Sequence, residues 1–262
     1  MSIDADAHIV LRPRGVVESA DLGVRLAMAH VGPVARLSAI VLPLGLLATL
    51  GAERRYGLTA AQTWCVAIVL ATAAEAPYTL VAGAVALRGP MRVRDALRDR
   101  YGSVIACALL RWFVLGIHCL AIATIFIPYM FTLSALLFVP EVVMLERNAR
   151  NALQRSSRIV QTMTGRALAT AVLLLCVRAG CVILGEVGLR SLVEIVLETR
   201  GTSRSLWSDG VSPYALAGFW LAVPAIAVLR YAAYIDLRTL REGWDVQRRF
   251  QRMAARLTAD QE

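Results

Sequence analysis

The sequence predicts an all-α protein, a polytopic transmembrane helical bundle of about six spans with amphipathic helices at the membrane interface. Three observations carry this prediction. The chain of 262 residues is 58% hydrophobic, its mean hydropathy is +0.60, and long, nearly uncharged apolar runs recur along it. These runs are continuous and reach the roughly 20 residues that a helix needs to cross a bilayer.

We predict a single integral membrane domain over residues 1–262, with a cytoplasmic leader (1–32), a six-span bundle (33–235) and a basic cytoplasmic tail (236–262). The leader is polar and has no early apolar segment, so we expect no cleavable signal peptide. Its later part spaces Val17, Ala20, Leu22 and Leu26 as in a short amphipathic helix. We expect this helix to lie on the inner membrane surface.

The first two spans each contain a proline. The first covers about residues 34–50 and includes Pro43. The second covers about residues 61–87 and has Glu75 and Pro77 near its middle. Because proline lacks the N–H that continues the helical ladder, we expect the second helix to be kinked or broken.

The stretch from Ser103 to Glu146 is about twice as long as one membrane crossing requires and has only Arg111 and Glu141 as charged interior residues. It predicts a transmembrane hairpin, the third and fourth spans, with its turn at Pro128. Arginine-rich segments border both ends, so both ends should face the same, cytoplasmic side.

The fifth and sixth spans cover about residues 167–187 and 214–235. Between them, the segment LRSLVEIVLETR (189–200) carries too many charges to continue across the membrane, and we expect it at the outer interface. After the sixth span, the basic tail includes apolar residues such as Leu237 and Trp244. This pattern favours a position on the inner surface.

All 28 basic residues are arginines, and their distribution sets the predicted orientation. The leader, residues 88–100, residues 147–166 and the tail hold 19 of them, and the opposite side holds five. Both termini are therefore predicted to be cytoplasmic. Since the arginines border apolar spans, we expect anionic lipid headgroups as partners and no nucleic acid, with headgroup contacts at Arg94, Arg98, Arg155, Arg158 and Arg230.

Arg111 and Arg178 lie deeper, about 12 Å and 16–18 Å from the inner ends of their spans at 1.5 Å per residue. An unpaired charge at such depth costs roughly 2.5–3.5 kcal/mol, so each should find a carboxylate. From similar depths we predict two pairs, Arg111 with Glu141 and Glu75 with Arg178. These pairs either fix the register of the helices or line a charged cavity.

No catalytic or cofactor-binding motif is found, so we expect neither a metal nor a cofactor. His118 and Cys119 are adjacent on one helix and point in different directions, which argues against a shared metal ion. Zinc-protease, Walker A and nucleophile-elbow patterns are absent from the sequence. Small residues such as Ala67 and Ala71 indicate close helix packing.

Three stretches carry a family resemblance: LRPRGVVESADLGVRLAMAHVGPVARLSAIVLPLGLL, EVVMLERNARNALQRSSRIVQTMTGRAL and YIDLRTLREGWDVQRRF. Together they resemble uncharacterised bacterial multi-pass membrane proteins that are similar to the membrane domain of glycerophosphoryl diester phosphodiesterase. The resemblance implies a six-helix inner-membrane protein whose role is mostly unassigned. The phosphodiesterase's catalytic barrel is missing, so its enzyme activity is not carried over.

Three functions are compatible with these patterns. The first is a non-enzymatic protein of the bacterial inner membrane, structural or accessory in the cell envelope, with an envelope protein or a second copy of the chain as its partner. The second is a transporter or lipid-handling protein that uses Glu75, Arg111, Glu141 and Arg178 in an intramembrane cavity. The third is an intramembrane enzyme that acts on lipid, with arginines of the inner interface holding a lipid phosphate.

Overall fold

The structure is a computed structural model that describes residues 15–29, 31–88, 98, 100–124, 126–146, 149–196 and 204–242. Over these ranges the chain is helical and contains no β-strand. The predicted all-α class is therefore confirmed. The predicted contacts of Arg94 and of the tail beyond residue 242 fall outside the described residues.

We number the described helices in chain order. They are α1 (Val16–Ala29), α2 (Val31–Tyr56), α3 (Ala60–Arg88), α4 (Tyr101–Thr124), α5 (Phe126–Ala135), α6 (Val139–Leu145), α7 (Ala152–Val160), α8 (Thr164–Leu184), α9 (Arg190–Val196), α10 (Leu206–Asp209) and α11 (Pro213–Glu242). A π-helical turn, Gly185–Leu189, joins α8 to α9.

Five of the described helical segments are long and apolar enough to cross a membrane. They are α2, α3, α4, the continuous segment from α8 to α9, and α11, and they correspond to the predicted first, second, third, fifth and sixth spans. The chain is thus a membrane-spanning helical bundle, as the continuous apolar runs predict.

The predicted fourth span is not one continuous helix. The second arm of the hairpin consists of α5 and α6, which are separated by residues 136–138. Pro140 lies in the first turn of α6, where its missing N–H leaves no helical hydrogen bond unmade. The arm is therefore broken close to Glu141, which is buried in the first turn of α6.

Helix α3 passes through Glu75 and Pro77 without a break. The expected interruption of the second span is therefore not found, although the proline removes one hydrogen bond of the ladder. On both sides of Pro77, most side chains between Ala71 and Ala82 are buried. Packing on this scale outweighs the loss of a single backbone hydrogen bond.

The helix of the fifth span continues beyond residue 187. Helix α8 runs through the π turn into α9 as far as Val196. At 1.5 Å per residue, this segment of 33 residues exceeds the roughly 30 Å of the hydrocarbon core, so the position of residues 189–196 at the outer interface stays a prediction. Arg190 binds acidic side chains one turn before and one turn after it. Its Nη1 lies 2.9 Å from Glu186 Oε1 and its Nε lies 2.8 Å from Glu194 Oε1. Charge pairs one turn apart satisfy these groups within the helix itself.

Helix α11 forms the centre of the bundle. Of its most apolar stretch 78% is buried, against 11% for α2. The remaining apolar faces of α2, α4 and α8 are exposed, which suits helices whose outer surface meets lipid hydrocarbon. Side chains near the middle of α11 are consequently surrounded by the other spans.

Close helix contacts fix the positions of α8 and α11. A Cβ atom added at Gly218 would lie 2.1 Å from the Cys181 carbonyl oxygen, and one added at Gly185 would lie 2.3 Å from the Tyr214 carbonyl oxygen. The two backbones therefore touch where each helix has a glycine. Small residues permit such approaches between membrane helices.

The predicted helix of the leader is confirmed as α1, but only Leu26 of the four predicted apolar-face residues is buried. Its buried residues are Ser19, Gly23 and Leu26. A Cβ atom added at Gly23 would lie 3.0 Å from the Leu229 side chain on α11. One face of α1 thus packs on the central helix, while Val17 on the other face is exposed.

Candidate functional site

Charged side chains from four spans meet in the interior of the bundle. Glu75 comes from α3, Arg111 from α4, Arg178 from α8 and Arg230 from α11. Each lies near the middle of its helix. The fifth member, Glu141, comes from the first turn of α6, directly after the break in the hairpin arm. We call these five residues the charge cluster.

Glu75 is the centre of the charge cluster. Its Oε1 accepts a hydrogen bond from Arg178 Nη2 at 2.6 Å. Its Oε2 accepts from Arg111 Nη1 and from Arg230 Nη1, both at 2.5 Å. One buried carboxylate thus binds three guanidinium groups, with one hydrogen bond at Oε1 and two at Oε2.

Arg230 links the two carboxylates of the charge cluster. Besides the contact with Glu75, its Nε donates to Glu141 Oε1 at 2.7 Å and its Nη2 donates to Thr79 Oγ1 at 3.3 Å. The residue is only 3% exposed. Every nitrogen of this guanidinium therefore has a partner inside the protein.

These contacts correct two sequence-based predictions. The pair of Glu75 with Arg178 is confirmed, but Arg111 contacts Glu75, and Glu141 contacts Arg230. Arg230 was expected to reach lipid headgroups, and it points into the bundle instead. Depth along a span gave the right residues for the cluster, but it could not tell which faces of the helices meet.

The charge cluster carries a formal net charge of +1, because three arginines meet two glutamates. Arg111 and Arg178 each spend one nitrogen on Glu75. Arg178 Nε is buried and has no hydrogen-bond partner among the described residues. The Arg178 guanidinium lies over the Phe219 ring at 4.9 Å from the centroid. Both arginines thus keep donors beyond those that bind Glu75.

A cavity of about 180 Å³ lies beside the charge cluster. Glu75 and all three arginines line it, together with Thr72 and His118. The side chains of Arg111 and Arg178 are 14% and 21% exposed, whereas Glu75 lies behind them. The rest of the wall is mostly apolar and includes Ile68, Val114, Leu133, Leu137, Leu174 and Ile226.

Glu141 completes the cluster from behind the cavity. One oxygen binds Arg230, and the other, Oε2, is buried and has no hydrogen-bond partner in the part of the chain that the structure describes. Its neighbours Val139 and Pro140 line the cavity. The break between α5 and α6 thus places both a carboxylate and part of the cavity wall in the interior.

The predicted headgroup-contacting arginines differ in their exposure and in their contacts. Arg98 and Arg158 are exposed, as a headgroup contact requires. Arg155 is half-buried, and its Nε lies 3.0 Å from Glu146 Oε2. The same glutamate accepts a hydrogen bond from the Tyr234 hydroxyl at 2.6 Å. Arg155 therefore ties α7 to the rest of the bundle.

Comparison of the chain with protein-family models, with curated proteins and with solved structures finds no match. Within the described ranges, no three His, Cys, Asp or Glu side chains lie close enough together to hold a metal ion. The chemistry of the site therefore has to be read from its own side chains. Guanidinium groups with spare N–H donors, set in an apolar wall, bind the oxygens of phosphates and carboxylates.

Proposed function

We propose that this chain is a lipid-handling or transport protein of the bacterial inner membrane that binds the anionic group of an amphiphile in the cavity beside the charge cluster. One observation carries the proposal: Arg111 and Arg178 line the cavity, and each uses only one nitrogen on Glu75. The remaining donors are available to a ligand.

The electrostatics of the cluster favour an anionic ligand. A net charge inside the hydrocarbon region is costly, and the cost falls when an opposite charge is brought next to it. The cluster has one positive charge more than it has negative charges. A single anionic group bound by Arg111 and Arg178 would neutralise it.

The lining of the cavity favours an amphiphile over a small water-soluble anion. Leu133, Leu137, Leu174 and Ile226 line the cavity together with the arginines. An acyl chain would bury apolar surface against them, whereas a hydrated anion would leave them in contact with water. Lipids of the surrounding membrane carry both an anionic group and acyl chains.

A structural or accessory role in the envelope is the second candidate. It is supported by the direct contacts of Glu75 with Arg178 and of Glu141 with Arg230, since paired charges fix which helices are neighbours. In this role the partner would be an envelope protein or a second copy of the chain. The charge cluster would then hold the bundle together without binding a ligand.

The proposed orientation has both termini in the cytoplasm, and the surplus of arginines on that side supports it. Arg98 and Arg158 are exposed, and we propose that they contact anionic headgroups there. The proposed relation to membrane domains of the glycerophosphoryl diester phosphodiesterase type rests on the three sequence stretches quoted above.

Lipid retention tests the proposed function. The protein is purified in a neutral detergent, and the lipids that remain bound are identified by native mass spectrometry for wild type, Arg178→Gln and Arg54→Gln. Arg54→Gln removes an equal charge from an exposed position in the last turn of α2, outside the cavity. We expect anionic lipid on wild type and on Arg54→Gln and its loss from Arg178→Gln. Equal retention by all three proteins would refute the cavity as a binding site and favour the accessory role.

A further inference from the structure

His118 is a polar group of the cavity that takes no part in the charge cluster. It lies seven residues after Arg111 on α4, which is about 10 Å along the helix axis. Its ring lines the same cavity. The ring also packs edge-on against Tyr129, with the centroids 5.8 Å apart and the planes at 84°. The packing fixes the position of the ring.

The two ring nitrogens of His118 differ in their partners. Nε2 is buried and has no hydrogen-bond partner within the described residues. The backbone of Thr132 lies beside the ring, and we assign Nδ1 as the nitrogen that faces it. When Nδ1 donates its proton to a backbone carbonyl, the neutral ring presents Nε2 as an acceptor. A buried acceptor without a donor is unfavourable, so the site is incomplete without one.

We propose that the ligand is an anionic phospholipid whose headgroup carries hydroxyl groups. This inference rests on the proposed function and names its ligand. Arg111 and Arg178 bind the phosphodiester oxygens, and His118 Nε2 accepts a hydrogen bond from a headgroup hydroxyl. The separation of Arg111 and His118 along α4 leaves room for the few bonds between a phosphate and a hydroxyl at the end of its headgroup.

Two short-chain lipids test this directly. Dihexanoyl phosphatidylglycerol has one negative charge and two headgroup hydroxyls, whereas dihexanoyl phosphatidylmethanol has the same charge and chains but no hydroxyl. Binding of each is measured by calorimetry on the purified full-length protein in a neutral detergent. We expect wild type to bind phosphatidylglycerol about fivefold more tightly, the effect of one buried hydrogen bond.

His118→Phe keeps an aromatic ring beside Tyr129 but removes the acceptor. We expect the preference to fall to about one while the affinity for phosphatidylmethanol stays the same. In His118→Gln, whose side-chain oxygen can accept the same bond, part of the preference should return. Leu115→Ala alters an apolar part of the same cavity and should keep the fivefold ratio. Melting temperatures of all variants show whether they remain folded.

The outcomes separate this inference from the proposed function. An unchanged fivefold preference in folded His118→Phe would overturn the role of His118 and leave the cavity as an anion site. If instead Arg178→Gln binds each lipid as tightly as wild type does, the proposed function itself fails. The deacylated headgroup, glycerophosphoglycerol, should bind at least about tenfold more weakly than the lipid, since it leaves the apolar wall uncovered. Equal binding would overturn the assignment to a lipid.

Discussion

Arg230 Nε lies 2.7 Å from Glu141 Oε1, and the two residues are fully enclosed by the bundle. Arg230 lies in the central helix α11, and Glu141 follows the break in the second arm of the hairpin. Their contact joins the broken arm to the centre of the protein. Through Glu75, the same arginine is linked to α4 and α8.

Removing Arg230 should destabilise the protein strongly. Arg230→Gln leaves the Glu141 carboxylate buried without its partner, and breaking a buried ion pair costs about 3–5 kcal/mol. Thermal unfolding in a neutral detergent measures the loss as a lower Tm. Arg158→Gln, at an exposed position, is the control and should change Tm little. A similar Tm for both variants would show that the Arg230 contacts contribute no stability.

Glu75→Gln should be more damaging than Glu141→Gln. Glu75 binds three guanidinium groups and Glu141 binds one, so losing Glu75 brings the greater loss of charge-assisted hydrogen bonds. Adding Arg178→Gln to Glu75→Gln restores the original net charge of the cluster. We therefore expect the double variant to regain part of the lost stability, with a coupling energy of about 1–3 kcal/mol between the two sites. Strictly additive losses would contradict the pairing.

The glycine contact between α8 and α11 gives a prediction about packing. In Gly218→Ala the new methyl group would lie 2.1 Å from the Cys181 carbonyl oxygen. The helices would have to move apart, at a cost of about 1–3 kcal/mol or more. Gly180→Ala is the matched control, because a Cβ atom there meets nothing within 4 Å. If Gly218→Ala melts at the same temperature as Gly180→Ala, the close crossing of the two helices is wrong.

The orientation predicts which loops a membrane-impermeant maleimide reaches in intact cells. In a cysteine-free background, Ser208→Cys lies at the predicted outer end of the bundle, and Arg158→Cys lies on the predicted cytoplasmic side. Both positions lie in short helices beside the span that includes α8. We expect labelling of Ser208→Cys in intact cells and labelling of Arg158→Cys only after lysis. The same labelling pattern at both positions would mean that they lie on the same side of the membrane.

The sequence was most informative where one local property decided the structure. Apolar runs located the five long helices, because length and composition alone set whether a helix can span a bilayer. The helical spacing of apolar residues in the leader located α1, but it did not identify which face of α1 is buried. Charge within the spans identified four of the five members of the charge cluster.

The sequence does not show which residues are neighbours in space. Arg230 lies 12 residues from the end of α11, and snorkelling to the headgroups seemed open to it. The structure surrounds it with Glu75, Glu141 and Thr79 instead. The continuous helix from α8 to α9 and the break at residues 136–138 also differ from the spans that the sequence predicts. His118 was considered only as a metal ligand, since nothing in the sequence places it in a cavity.

The central claim is that Arg111 and Arg178 bind an anionic lipid, and a titration tests it most directly. Dihexanoyl phosphatidylglycerol is titrated into wild type, the double variant Arg111→Gln/Arg178→Gln and the control Arg54→Gln/Arg55→Gln, which removes two exposed arginines at the end of α2. If each cavity arginine gives one charge-assisted hydrogen bond, the affinity of the first double variant falls at least about tenfold, and the control binds as wild type does. Equal affinity in all three folded proteins would contradict the claim.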